Sequence, residues 1–285
     1  MLLVSDQDQP PLLADDEEDF IYHLQHDMLI ASAIQDRNVD PKTIGEARSR
    51  QDWPLWKAAM DKEVQTLEQA NTWNIVACPP KKNVVGSKWV FRIKRKVDGS
   101  INKYKACLVA WGFTQIYGID YYNTYSPVAK LTSFRTILAM AACHNWEIES
   151  FDFNGAYLNS TLGEDEEIYM KEPPGYETQG EDSVKHLCKS LYGLKQVGCK
   201  WYEALSIALI NLSFSISGTN LGVFYAKINR HTLILAVHVD NCILTGSSTS
   251  LISKYKGKLN EQYALTDLGL AHWLLGIQIM CNRSA

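Results

Sequence analysis

The chain has 285 residues, 46% hydrophobic and 21% charged, enough apolar material for one large or two ordinary cores, which excludes a wholly disordered protein. Its net charge of −4 hides an asymmetry, because residues 1–40 carry ten acids against the single base Arg37 and the remainder is net basic. Seven cysteines without a CxxC pair argue against a disulfide framework or a structural zinc site. The absence of a leader pattern and of any apolar run near 18 residues argues against secretion and membrane spanning, so an intracellular protein is expected, in a cytoplasmic particle or the nucleus.

In chain order, residues 1–50 read as an acidic tail or linker, with the run Asp15-Asp16-Glu17-Glu18-Asp19 and no sustained periodicity. Order is expected from Asp52-Trp53-Pro54, where a helix opens with Trp56, Met60, Val64 and Leu67 at helical spacing and ends by Asn71-Thr72-Trp73. From Ser87 the pattern alternates, placing Trp89, Phe91 and Ile93 on one face and Lys88, Arg92 and Lys94 opposite. Asp98-Gly99 then predicts a two-residue hairpin that returns through Ile101–Val109. Between Lys81 and Trp111 nine bases face one acid, so this hairpin is either a positively charged flap or a solvated edge ribbon whose lysines prevent aggregation.

Thr132-Ser133 opens a helix to about Cys143, Trp146–Phe153 reads as a strand ending near Asp152, and Pro173-Pro174-Gly175 breaks the chain before a strand near Val184–Cys188. Trp201–Leu212 and Leu251–Tyr263 read as helices, and between them the strands Leu233–Val239 and Cys242–Thr245 flank Asp240-Asn241. Strands and helices alternate without a regular βαβ series, which indicates an α+β fold.

Two acids stand at places where a carboxylate costs desolvation unless it is exposed, hydrogen-bonded or bound to a cation: Asp152 near the end of an apolar strand, and Asp240 at the tip of an apolar hairpin. If these strands are sheet neighbours, both carboxylates reach one edge, a setting suited to divalent cations with oxygen ligands. The plain alternative for Asp240 is a turn residue.

At these residues the sequence resembles the reverse transcriptase domain of copia-like LTR retrotransposon polyproteins. The matching blocks run in order: Trp56–Met60 with Glu63, GSKWVF (Gly86–Phe91), YKACLVAWGF (Tyr104–Phe113) with Gln115, Gly118–Tyr121 and Ser126-Pro127-Val128. They continue through FDFNGAYLN (Phe151–Asn159), IYMKEPPGY (Ile168–Tyr176), KSLYGLKQ (Lys189–Gln196), VHVDN (Val237–Asn241) and DLGLAHWLLGIQI (Asp267–Ile279). The resemblance implies a right-hand polymerase, with a fingers-like region over 51–145 and a palm-like region over 146–285, a mixed or antiparallel palm sheet packed on helices.

It also implies an RNA-directed DNA polymerase whose partners are an RNA template, a DNA primer and deoxynucleotides, with two Mg2+ ions held by carboxylates. Asp152 and Asp240 match the metal ligands. Tyr157 matches the aromatic that excludes a ribose 2′-hydroxyl, Gln196 a residue near the incoming nucleotide, and Lys105 a further nucleotide contact. Lys88, Arg92, Lys94, Arg95, Lys96 and Lys103 would bind nucleic acid. Core packing for Tyr157 and a polar helix cap for Gln196 are the alternatives.

Departures fall where the chemistry is tightest. The family's hairpin ends in two adjacent aspartates, whereas this chain reads His238-Val239-Asp240-Asn241, and Asn241 leaves one carboxylate missing. Cys107 and Trp111 stand where the fingers motif has bases, and Val197-Gly198-Cys199 where it has alanine, a small residue or proline, and arginine. The sequence therefore reads as a degenerate, truncated copy, with most of the thumb, the RNase H and the integrase lying outside it and catalysis impaired. A non-enzymatic nucleic-acid-binding protein derived from the element, or a functionless relic, are the alternatives.

Overall fold

The computed structural model describes residues 2–4, 40–96, 98–163, 165–177 and 182–281, so the acidic run at 15–19 lies outside the described residues. Strand β1 (Leu2–Val4) is followed, within the described residues, by helix α1 (Ile44–Arg48), capped by the Thr43 side chain, which accepts from the Glu46 N–H. Ala47 on α1 is fully buried, so order reaches back before Asp52. Residues 40–50 are thus folded rather than tail. Composition assigned them otherwise because one buried alanine carries no periodicity.

Helix α2 (Trp53–Gln69) has proline in its first turn, where the missing N–H is not needed, and buries Trp56, Met60, Val64 and Leu67 as their spacing predicts. Strands β2 (Trp73–Ala77), β3 (Val84–Val85), β4 (Ser87–Arg95) and β5 (Ile101–Ala110) follow. The β4–β5 turn is longer than the two residues expected. The Lys96 N–H donates to Ser100 O (2.8 Å) and the Gly99 N–H to Lys96 O (2.9 Å), with Gly99 at φ +82. Glycine supplies that left-handed conformation without a Cβ penalty.

Helix α3 (Leu131–Cys143) leads into β6 (Glu147–Phe153), then β7 (Tyr169–Lys171) and β8 (Ser183–Leu187). Helix α4 (Val197–Asn211) starts earlier than the expected Trp201, because burial of Val197 and Cys199 carries the helix back across Gly198. The chain closes with β9 (Ser215–Ile216), β10 (Val223–Ile228), β11 (His231–His238), β12 (Asn241–Gly246), helix α5 (Thr249–Gln262), β13 (Leu265–Leu270), β14 (Trp273–Leu274) and β15 (Ile277–Cys281).

The chain forms two compact units. One contains 125–156 and 201–285 with the N-terminal strand, the other 31–124 and 157–200, so the chain passes between them four times, where the sequence predicts one boundary after residue 145. The first unit is built on an antiparallel sheet of order β13-β6-β12-β11-β10-β9. Alternation along β6 sorts its side chains. Phe151 and Phe153 take one face, where Phe153 meets Trp201 and Tyr263 edge-on at 5.2 and 6.0 Å. Ile148 takes the other, packed with Phe134, Ile137 and Leu138 of α3 and with Ile243 and Ala236. On the aromatic side the Lys256 ammonium is buried between Glu149 and Asp267, 2.6 Å from the latter. A small sheet of order β1-β15-β14 completes the unit.

The second unit carries the β4–β5 ribbon, a sheet of order β2-β8-β7-β3 with a parallel β3–β7 pair, and helices α1 and α2. Its core is the inner face of the ribbon against α2: the Trp56 ring lies 5.2 Å from Phe91 and 4.6 Å from Tyr104. Fully burying side chains of this size contributes about 1.5–3 kcal/mol each, which fixes which face of the ribbon is left to solvent.

Candidate active site and nucleic-acid interface

The sheet settles where the two acids stand. β6 and β12 are antiparallel neighbours, and their register sets Asn241 directly opposite Asp152. The Phe153 N–H also donates to Asp240 O (3.0 Å), which ties the hairpin tip to the end of β6. Asp152, Asp240 and Asn241 therefore occupy one end of two adjacent strands. Asp152 is half-buried, with its Oδ1 atom shielded from solvent, and Asp240 is half-buried at the turn.

The turn itself is held under strain. His238 pairs with Asn241, leaving Val239 and Asp240 as the connection, and Val239 sits at φ +61. For a β-branched residue that conformation is a genuine outlier and needs external support. Trp201 supplies it, its Nε1–H donating to Val239 O at 2.7 Å. Sequence reasoning missed Trp201 as a positioning residue. A valine preceding an aspartate in a two-residue turn was the only signal that something must hold the backbone there.

The electrostatics agree with the placement. Burial pushes the Cys242 thiol well above its usual range, and the Asp240 and Asp152 carboxylates push it further. The Asn241 amide donates to Asp240 Oδ1 at 3.0 Å. Two carboxylates and an amide oxygen are hard oxygen donors of the kind Mg2+ takes, so the residues fit such an ion with one negative charge fewer than three carboxylates would bring. Among the described residues no group of three or more His, Cys, Asp or Glu side chains is gathered to hold a metal, and His238 adds no third ligand.

In the other unit, the ribbon register places Lys94 opposite Lys103, Arg92 opposite Lys105, Val90 opposite Cys107 and Lys88 opposite Val109. These pairs share the outer face, because Trp89, Phe91, Ala106 and Leu108 are buried on the inner one. Lys88, Lys94, Lys103 and Lys105 are exposed, as are Arg95 and Lys96 near the turn. Like charges on adjacent strands repel unless an anion screens them, and phosphate would do so. Arg92 is held by an acid: its Nη1 donates to Asp40 Oδ2 at 3.1 Å, while the Ile93 N–H donates to Asp40 Oδ1 at 2.8 Å. Asp40 lies within the 1–50 segment whose composition reads as a tail, so no sequence signal marks it.

Cys107 lies in line with these bases, but burial raises its thiol pKa and nearby Glu63 raises it further, against Lys105. Glu63 on α2 accepts from the Leu108 N–H at 3.3 Å, and burial lifts its carboxyl above the ordinary 4.5.

Tyr157, in the same unit as the ribbon, packs edge-on against Tyr192 with ring centroids 4.8 Å apart and lies partly buried against the core. Gln196 is 0% exposed. Its Nε2 donates to Asp120 O (2.9 Å) and its Oε1 accepts from Gln115 Nε2 (3.0 Å), while Gln115 Oε1 accepts from the Lys195 N–H (2.7 Å). Gln196 thus pins the 112–121 segment to the turn before α4, and its amide is already spent on protein partners.

A mixed α+β chain that brings two carboxylates to the end of paired strands, and carries a basic ribbon in a separate unit, has the parts of a nucleic-acid polymerase domain. The model of the reverse transcriptase (RNA-dependent DNA polymerase) family matches residues 70–284, and the chain belongs to that family. It is 35% identical over 243 residues to the Retrovirus-related Pol polyprotein from transposon RE2 of Arabidopsis thaliana, covering 85% of this chain and 16% of that protein. Against the Retrovirus-related Pol polyprotein from transposon TNT 1-94 of Nicotiana tabacum, identity is 35% over 248 residues, 86% of this chain and 18% of that one. The corresponding polyprotein from transposon RE1 of Arabidopsis thaliana is 36% identical over 227 residues, 78% of this chain and 15% of that one. The chain therefore spans less than a fifth of the length of these relatives. No described helix is long and apolar enough to cross a membrane.

Proposed function

We propose that this chain is the polymerase segment of a retrotransposon Pol polyprotein, extending a DNA primer on an RNA template with deoxynucleotides, and that its catalysis is impaired at Asn241. The observation that carries the reading is the β6–β12 register, which sets Asp152, Asp240 and Asn241 at one strand end. Asp152 and Asp240 would hold Mg2+, which when bound activates the primer 3′-hydroxyl and stabilises the leaving pyrophosphate. The remaining tasks belong to the protein. Asp152 and Asp240 supply fixed negative charge at an edge stiffened by Phe153 and Trp201, and the Asn241 amide offers a dipole where a second carboxylate would offer a full charge. At about 4 Å and an effective dielectric near 20, that charge amounts to roughly 4 kcal/mol.

In this reading Tyr157 would select the sugar, as the family resemblance implies, and the ribbon bases would hold the template–primer. Primer extension on an RNA template with Mg2+ tests it. Slow extension that disappears in Asp152→Asn and in Asp240→Asn is expected. Extension that survives both changes would overturn the assignment of the site. No extension by wild type together with salt-dependent duplex binding would favour the non-enzymatic alternative, which the retained ribbon lysines support.

A further inference from the structure

The outer face of the β4–β5 ribbon does not end on a cation. Beyond Lys88 and Val109 its next rung sets Gly86 against Trp111, whose N–H donates to Gly86 O at 2.8 Å. The missing side chain at Gly86 is what admits the indole, because a Cβ there would stand 2.4 Å from the ring. The turn that follows is fixed by backbone contacts. The Thr114 N–H and hydroxyl donate to Trp111 O at 2.9 and 2.7 Å, and Gly112 lies so near the Gly193 carbonyl that a Cβ would come within 2.1 Å of it. On this support Phe113 stacks on Trp111, with centroids 5.7 Å apart and planes inclined by 27°, yet Phe113 remains 76% exposed and Trp111 39%.

A held pair of aromatic rings facing water offers a flat apolar surface, and the charge of its surroundings indicates what it would take. At about 3.4 Å per residue, the row from Lys94 and Lys103 down to Trp111 runs roughly 27 Å along one face. A cationic track that ends on an aromatic platform matches a strand whose phosphates follow the lysines and whose unpaired base lies on the ring. A duplex offers the same phosphates but no free base face along its length. Trp111 also stands where the family resemblance places a base, so at this rung charge has been exchanged for stacking area.

We infer that Trp111 and Phe113 form a stacking platform for an unpaired nucleotide, so that the ribbon prefers single-stranded nucleic acid to duplex. The inference rests on the nucleic-acid-binding part of the proposed function and not on its chemistry. Fluorescence anisotropy tests it with a short labelled oligothymidylate, an abasic oligomer of equal length and a blunt duplex. Phe113→Ala should weaken oligothymidylate binding about tenfold and leave the abasic and duplex affinities unchanged. Phe113→Trp should restore binding, which separates stacking from a folding defect. Trp111→Arg should weaken oligothymidylate binding while steepening its salt dependence by up to about one log–log unit.

Equal losses on all three probes, or none, would overturn the platform. If wild type binds none of the probes, the nucleic-acid reading of the ribbon fails with it. If binding persists, needs the ribbon lysines and ignores Phe113, the platform alone fails. Self-association abolished by Phe113→Ala, with nucleic-acid binding unchanged, would assign the rings to a protein contact and likewise overturn it.

Discussion

The amide at position 241 acts twice on the carboxylate beside it. It withholds a charge and, by donating to Asp240 Oδ1 at 3.0 Å, it uses one of the oxygens a cation would need. The same bond steadies the turn. Asn241→Asp should therefore lower the melting temperature without Mg2+, because three carboxylates then crowd one strand end, and added Mg2+ should recover the loss by binding the folded state. A melting temperature indifferent to both the substitution and the ion would remove the metal from this edge. Glu63 gives a second test. Burial raises its carboxyl above the ordinary 4.5, against the Leu108 N–H and Lys105. A carboxyl whose folded pKa is raised stabilises the fold most fully below the unfolded value and loses that contribution as pH rises through the folded value. Glu63→Gln should accordingly resist urea better than wild type at neutral pH, with the gap closing below the ordinary value of 4.5. A gap of constant size across that range would contradict the assignment. Introducing arginine at the two cysteines is constrained by burial: Cys199 is buried on α4, so an arginine there must leave the core, whereas Cys107 lies on the outer ribbon face. Added to Asn241→Asp, Cys107→Arg is the better candidate for further recovery.

Helix α2 and strand β4 were legible in sequence because each has one buried face and a regular period, and their residues emerged on the faces expected. The strand carrying Asp152 and the hairpin carrying Asp240 were likewise readable as apolar runs. Their pairing was not, because residues about ninety apart meet through a register that no local pattern encodes. The length of the β4–β5 turn is not legible, since Asp98-Gly99 signals glycine at positive φ without fixing the number of residues around it. The motif around Gln196 gives no sign of its burial, and only the fold reveals a fully buried amide bonded to Gln115 and Asp120. The supports of the two sites were equally hidden, being single contacts between distant residues. Gly86→Ala should displace Trp111 and lower stability by about 1–3 kcal/mol, the cost of overpacking, measured by urea denaturation. Trp201→Phe keeps the ring but removes the donor to Val239 O, which should cost about 1–2 kcal/mol and loosen the turn, read as faster hydrogen exchange at the tips of β11 and β12.

The net charge of the chain is negative, yet one ribbon presents a run of basic residues with few acids among them, so association with nucleic acid should depend on that ribbon rather than on the overall balance. Replacing Lys94, Lys103 and Lys105 together by alanine should flatten the log–log salt dependence of duplex binding by about two to three units, at about 0.9 per phosphate on B-DNA and somewhat less on a hybrid. Arg92 should contribute less while Asp40 holds it, and Asp40→Ala should steepen the slope by up to about one unit. Binding built from many summed charges should outlast catalysis, which depends on one arrangement at the end of β6 and β12. The decisive quantity is the single-turnover rate of primer extension on RNA, at saturating template–primer and deoxynucleotide, for wild type and Asn241→Asp. The missing charge sets a ceiling of roughly a thousandfold on the gain. With Cys107 and Trp111 still in place of bases, we expect a rise of about ten- to a hundredfold, lost again when Asp240→Asn is added. Equal rates for wild type and Asn241→Asp, in protein shown to be folded and to bind the template–primer, would contradict the assignment of this strand end as the site of nucleotidyl transfer.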